Sequence, residues 1–377
     1  MSFLIAPFEP KMLDEVAALR LAVFGRTLEF NRAYLTWKYL QNPYIQGPVL
    51  HVAHKDGEIV GMRGWFGTSW QVPGRDAATV IPQAAESAIL PDHRHQGLFR
   101  ELTQFGLDEL RRRGYPLVMS MSATEYNYEV ATKSMGWRSA GNYQPLVWSG
   151  GAEGVDDPSE WRKRSAERLR TGVKSTRGIS WLVKATRKGT NRVRGASAAD
   201  PFRRLEEPLA HPEATLRMER TPRPSVMAEI ASSSDDRSRI IHTRDETYFS
   251  WRYGDPRSTY RFFYPTGDAY DGFCVLSGAS SGQMSIVDWS SDGRVVVDLI
   301  NILETTGAAS RLDIWGTGLP VDLSSLLRDT GFKPEPNEKR GLILRTTNTD
   351  DQPWSADAES LLDIDDWNLR MIFSDRH

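Results

Sequence analysis

The sequence predicts an α/β (α+β) protein made of two similar domains, each a mixed central sheet flanked by helices. Three observations carry this expectation. Segments of period 2 and period 3.6 alternate over the first 150 residues in the order β-α-α-β-β-β-α-β-α-β. One strand ends at a proline, runs through a basic loop containing glycine, and opens directly into an amphipathic helix. A six-residue aromatic string from the first half returns in the second half at a constant offset of 214.

Ser2 to Phe8 reads as a short strand. Met12 to Phe24 carries Leu13, Val16, Leu19 and Val23 at helical spacing, and Tyr34 to Leu40 reads as a second helix stopped by Asn42-Pro43. Val49 to His54 and Ile59 to Phe66 flank Asp56-Gly57, the signature of a hairpin. A further strand spans Gln83 to Leu90, where Pro91 ends the ladder. Leu98, Leu102 and Phe105 share one face of a helix that Arg111 to Arg113 and Gly114 close. Leu117 to Met121 is a strand, Tyr126 to Met135 a helix ended by Gly136, and Tyr143 to Trp148 the last strand of the first domain.

The chain has 377 residues, 40% hydrophobic and 25% charged, enough for two domains with cores. A formal charge of −2 gives no global field for nucleic acid. One cysteine, Cys274, excludes an intramolecular disulfide and a Cys-x-x-Cys metal site, and fits a reducing cytoplasm. Met1 to Lys11 lacks the pattern of a signal peptide, and no apolar run reaches the length of a spanning helix. Arg162 to Arg194 holds 12 Lys or Arg against one acid, Glu167. It reads as a basic connector, with docking on the acidic domains set against peripheral contact with an anionic membrane. The expected division is residues 1–150, a connector over 151–205, and a second domain over 206–377.

Tyr34-Leu-Thr-Trp-Lys-Tyr39 is echoed by Tyr248-Phe-Ser-Trp-Arg-Tyr253, and Met135-Gly-Trp-Arg138 by Thr330-Gly-Phe-Lys333. The second copy is 19 residues shorter between its Trp and Gly landmarks, 80 against 99. It offers Asp288 and Asp292 where the first offers Arg94 and Gly97.

The strand-to-helix stretch Ile89-Leu-Pro91-Asp-His-Arg94-His-Gln-Gly97-Leu-Phe99 is a ready anion site. The first amides of a helix have no internal partner, glycine permits close approach, and arginine adds charge. With the element order and Gly136-Trp137, residues 81–137 resemble the cofactor core of the GNAT acetyltransferases. Ile89, Pro91, Arg94 and Gly97 fill slots of that family's V-x-P-x-x-R-G-x-G-x-G/A stretch, while His95 replaces a glycine and Phe99 the final Gly/Ala.

The resemblance implies acetyl-CoA as acyl donor. Its pyrophosphate would rest on the amides of His95, Gln96, Gly97, Leu98 and Phe99 near Arg94, its arm along Ser87, Ala88 and Ile89, with Asn127 alongside. Glu86, the one carboxylate on the fourth strand, is the expected general base. Thr132 stands where the family often has a tyrosine acid, so Tyr126 and Tyr128 are the candidate acids. Trp37, Lys38 and Tyr39 lie on the helix that lines the acceptor groove in similar proteins, although their recurrence in both copies also fits a buried anchor. His93 and His95 alone do not make a metal site, and none is expected. The expected activity is acetyl transfer to a primary amine of a small molecule: an amino sugar, a polysaccharide precursor or a natural-product amine. A catalytically silent binding protein of the same fold and a Fem-type aminoacyl transferase are the alternatives; the second would need a coiled-coil arm, and no sustained heptads are present.

Overall fold

The structure is a computed structural model and describes residues 3–149, 200, 202–267, 271–278, 282–290, 293–335, 341–348 and 354–374. The basic stretch 162–194 and Asp292 lie outside the described residues.

The first half runs β1 (Leu4–Pro7), α1 (Leu13–Phe24), α2 (Leu28–Leu35), β2 (Val49–Lys55), β3 (Glu58–Gln71), β4 (Thr79–Ile89), α3 (Leu98–Arg112), β5 (Leu117–Ser120), α4 (Glu125–Ser134), β6 (Arg138–Asn142) and β7 (Pro145–Ser149). The second half runs α5 (Arg203–Leu209), β8 (Leu216–Glu219), α6 (Pro224–Ser234), β9 (Ile240–His242), α7 (Glu246–Arg252), β10 (Tyr260–Pro265), β11 (Cys274–Gly278), β12 (Gln283–Trp289), α8 (Arg294–Thr306), β13 (Arg311–Trp315), α9 (Val321–Asp329), β14 (Lys333–Pro334), β15 (Gly341–Thr346), α10 (Ala356–Glu359) and β16 (Trp367–Asn368). Leave out α5, β9 and the elements after β15, and the second half repeats the order of the first. Among the described residues no helix is long and apolar enough to cross a membrane.

Three local differences from the sequence expectation have clear causes. The second helix begins at Leu28 because the Thr27 side chain accepts from the Phe30 amide and caps it; it then widens through Thr36–Leu40, where the Gln41 amide reaches back five residues to the Thr36 carbonyl. Strand β3 continues to Gln71 and pairs antiparallel with β4 from Thr79 onward, because Trp70 and Ile81 face a core that rewards the longer hairpin. Arg138–Asn142 forms an extra strand.

The largest departure is in the sheets. The first is ordered β1-β2-β3-β4-β5-β15-β6, and the second β14-β7-β13-β12-β11-β10-β8. Strand β7, expected to finish the first domain, pairs antiparallel with β13 and β14 in the second sheet. In return β15 enters the first sheet between β5 and β6. Strand β9 also pairs with the end of β3, and β16 with β9, so the first half lends one strand to the second sheet and the second half lends three to the first. Only Tyr143 and Gln144 separate β6 from β7, and they are held by the second half. The Tyr143 ring stacks on Trp315 at 4.0 Å, and the Gln144 amide donates to Thr317 Oγ1.

The two copies of the aromatic string meet face to face. Trp37 stacks on Trp251 at 5.1 Å and 11°. Trp37 Nε1 donates to the Trp251 carbonyl at 2.7 Å, and Trp251 Nε1 donates to the Trp37 carbonyl at 3.0 Å. This reciprocity is what two copies related by a local two-fold would produce. The stack belongs to the core of the first half, with Tyr34, Leu35 and Phe66, while a separate core shared by both halves joins Trp70 and Met119 of the first to Tyr248, Trp367 and Phe373 of the second.

Candidate active site

The cleft follows from how two parallel strands part. Strands β4 and β5 share one paired position, Gln83 with Met119, and then diverge. Beyond it, Ala84 to Ile89 bond to β3 on one side and have no strand on the other. The opening is a cavity of about 310 Å³, lined by Glu86 and Ser87 of β4, Ser120 and Ser122 at the end of β5, Phe99 and Thr103 of α3, and Asn127 of α4.

A bulge aims Glu86 into this space. Arg63 of β3 pairs with Ser87, and Trp65 with Ala84, so Ala85 and Glu86 both face Gly64. The Tyr39 ring lies against Gly64 so closely that a Cβ there would overlap the hydroxyl. Arg63 Nη1 donates to the Ala85 carbonyl at 2.5 Å and its guanidinium lies 5.2 Å from the Phe99 ring.

The loop after β4 has the geometry of an anion cradle. His95 has φ 60° and Gly97 φ 84°, both left-handed. The positive φ at His95 accounts for glycine being the usual residue of that slot. Gly97 caps α3, and its carbonyl accepts from the amides of Arg100 and Glu101, so the amides of Leu98 and Phe99 lie ahead of the helix's first bond. The nearest heavy atom to a Cβ built on Gly97 would be Glu101 Oε1, at 3.9 Å, so the approach is open. Arg94 and Gln96 brace the loop by donating to the carbonyls of Ile89 and Asp92. Phe99 lines the cleft, with its ring against the Arg63 guanidinium.

Glu86 sits among cations. Arg20 Nη1 lies 2.5 Å from Oε1, and the Tyr39 hydroxyl donates to Oε2 at 3.3 Å. Lys38, fully buried, donates from Nζ to the Tyr34 hydroxyl at 2.7 Å. Arg257, from the second half, lines the same cleft. Burial alone would raise the Glu86 carboxyl; the charges of Lys38, Arg20 and Arg257, with the Arg20 hydrogen bond, outweigh it and hold it below its ordinary value. A carboxylate held so is a fixed anion and a weak proton acceptor, which counts against its expected role as base.

The expected acids are elsewhere. Tyr126 is 67% exposed, and the Tyr128 hydroxyl donates to Ser139 Oγ at 2.7 Å; neither lines the cleft. The hydroxyl side chains that do are those of Ser87, Thr103, Ser120, Ser122 and Thr124. Asn127 lines the cleft, and the cap of its helix is Thr124, whose Oγ1 accepts from the Asn127 amide, so the Asn127 side chain is not the helix cap. Trp37, Lys38 and Tyr39 do not line the cleft either. Trp37 belongs to the interface between the halves, while Lys38 and Tyr39 support Glu86 from behind.

Sequence reasoning missed Arg63, Ser120, Ser122 and Arg257. Ser120-Met-Ser122 at the end of a strand that faces the motif strand was a readable signal. Arg257, some 170 residues from the motif in sequence, offered none.

The second half repeats the framework and fills it. The Tyr253 hydroxyl donates to Asp288 Oδ2 at 2.9 Å, as Tyr39 does to Glu86. Asp288, expected where Arg94 stands in the first copy, instead lies within β12, fully buried against Arg244 at 2.8 Å. Gly293, φ 70°, takes the position of Gly97. A Cβ there would stand 3.2 Å from both Leu323 methyls, so the space beside this turn is occupied. Arg370, on the segment after β16, donates to the Trp289 carbonyl, and Leu369 and Phe373 of that segment join one core with Val287 of β12.

Residues 5–140 match the family of acetyltransferase (GNAT) domains. No curated protein matches the chain. Among solved structures, a GCN5-related N-acetyltransferase from Anabaena variabilis is 13% identical, with a TM-score of 0.56 over 92% of this chain and 73% of its own. One from Kribbella flavida is 14% identical, with a TM-score of 0.55 over 92% and 71%. A probable N-acyltransferase from Enterococcus faecalis is 9% identical, with a TM-score of 0.56 over 92% and 73%. At such identities the likeness is one of fold, and it extends through both halves. Residues 5–140, which hold the open helix start and most of the cleft lining, thus match an acetyltransferase (GNAT) domain.

Proposed function

We propose that this protein transfers an acetyl group from acetyl-CoA to a primary amine of a small molecule, and that only the first copy does so. The observation that carries the reading is one continuous surface: the open edge of β4 from Ala84 to Ile89, leading to the left-handed turn at Gly97 with free amides and unfilled space in front of it. An extended chain of amides fits such an edge, and a pyrophosphate fits such a turn. In this reading Ser87, Ala88 and Ile89 pair with the arm of the donor, Asn127 bonds to it across the cleft, and the amides of His95 to Phe99 hold the phosphates. Bound there, the donor supplies a thioester carbonyl open to attack.

The residues of the chain would then act on the amine. Attack needs a neutral nitrogen. The cations Arg20, Lys38, Arg63 and Arg257 disfavour an ammonium in the cleft and lower its pKa. Water at the mouth can then take the proton, with Glu86 orienting the amine. The new C–N bond would form as the C–S bond breaks, with the hydroxyl of Ser120 or Ser122, both lining the cleft, donating to the departing sulfur. Among the described residues that line the cleft none is a tyrosine, which favours one rival, a binding protein that holds the donor without turning it over. Thiol release from acetyl-CoA with a panel of amines separates the two. Turnover with any amine supports transfer; tight donor binding without turnover across the panel would establish the rival.

A further inference from the structure

The charges around the cleft bear on the acceptor itself. Among the described residues that line it, three are charged: Arg63, Glu86 and Arg257. Glu86 is matched by Arg20 at 2.5 Å, with Lys38 buried behind it. Arg257 is matched by Asp255, which accepts from Nε at 3.0 Å and from Nη2 at 2.7 Å. Asp255 is itself shared, since Arg252 Nη1 donates to it at 3.1 Å. Among the charged residues that line the cleft, two arginines thus stand against one carboxylate. An ordinary amine reaches the site as a cation, and this surplus repels it. An amine that brings its own acid does not meet that barrier.

We infer that the acceptor is an amine carrying an anionic group, carboxylate or phosphate, and that Arg257 from the second half receives that group. The inference rests on the acetyl-transfer reading above and names its substrate class. Arginine suits either group, because its planar fork matches both oxyanions. The side chain is 23% exposed, so it is reachable from solvent. It is also held in place. Asp255 grips one edge of the fork, and its guanidinium carbon lies 4.7 Å from the Tyr34 ring. Tyr34 is the residue to which Lys38 donates, so Arg257 is built into the same cluster as Glu86. The second copy would then set specificity, although it performs no chemistry.

The test uses the full chain and matched acceptor pairs: amino acids against their amides, and amino sugars against their phosphate esters, with rates corrected for the fraction of neutral amine. The wild type should favour the acidic member of at least one pair by about tenfold or more in kcat/KM, a difference of about 1.4 kcal/mol. Which pair responds separates carboxylate from phosphate. Arg257→Gln should lose most of that preference through KM, Arg257→Lys should keep part of it, and Arg257→Glu should favour the neutral member. A wild type that acetylates both members equally, or prefers the neutral one, overturns the inference while leaving acetyl transfer intact. If no amine turns over, acetyl transfer itself fails. Calorimetry with the acidic compounds then still decides: binding to wild type and not to Arg257→Gln upholds the anion subsite, and no binding to either removes it.

Discussion

Glu86→Gln distinguishes an anchor from a base. The substitution keeps the shape of the side chain and removes the charge that pairs with Arg20. Removing one partner of a buried ion pair costs about 3–5 kcal/mol. Here the Glu86 side chain is 14% exposed, and an amide oxygen can still accept from Arg20 or Tyr39. The expected loss is therefore smaller, about 2–3 kcal/mol, or roughly 4–12 °C in the melting temperature of the cooperative unit. The sign with pH follows from the depressed carboxyl. Its stabilisation is present in full above the unfolded value of about 4.3 and fades as pH falls through the lower folded value. Wild type and Glu86→Gln should thus differ most near neutrality and converge in acid. Melting curves from acid to neutral pH measure this, with single-turnover rates on the same samples. If Glu86→Gln melts like wild type at neutral pH, loses turnover, and recovers rate as alkali deprotonates the amine, Glu86 is the base and not a fixed anion.

Gly97→Glu places a carboxylate where the phosphates would approach and forces a side chain onto φ 84°; acetyl-CoA should bind at least about tenfold more weakly, read by calorimetry, and an unchanged affinity in a folded variant removes the loop from the donor site. Titration of the intact chain with CoA should give one site, because Leu323 occupies the turn at Gly293; two sites of similar affinity would show that the second copy also binds. A chain ending at Gly150 should aggregate or bind CoA poorly by light scattering and calorimetry, since it leaves β7 without partners and strips β15 from between β5 and β6. A monomeric, binding-competent fragment would mean that the exchanged strands are dispensable.

The elements of the first half were legible because their signals are local. Asp56-Gly57 makes a hairpin, Pro91 ends a strand, and Gly97 starts a helix, each for reasons contained in a few neighbouring residues. The duplication was legible because Trp37 and Trp251 serve one purpose, stacking on each other, and so kept their surroundings. Where the strands go was not legible. Nothing in Pro145–Ser149 distinguishes pairing with β6 from pairing with β13, because alternation reports burial and not the partner. The same limit hid Arg257. Its place in the cleft depends on the packing of the two halves, and a charge near a turn reads from sequence as a solvated one. Tyr126 and Tyr128 lie off the cleft for a narrower reason. Both lie on α4, which does border the cleft, but the face turned inward carries Asn127 and Ala131.

The strand exchange explains why a second copy without an open donor site would be retained. In the first sheet, β5 forms one wall of the cleft and bonds to β4 at a single position. Its other edge is covered by β15, through Ile343 to Thr346, and Ile343 itself lines the cleft. The separation of β4 and β5 that forms the cleft is thus fixed from the far side by a strand of the second half. The same half closes the near side with Arg257. In the second copy the corresponding pair, β12 and β13, is joined at three positions and tied across by Ser285 donating to Asp313 at 2.8 Å. One sheet is held apart and the other is held shut. On the proposed function, the shut sheet would give up a donor site and serve as a rigid frame for the open one.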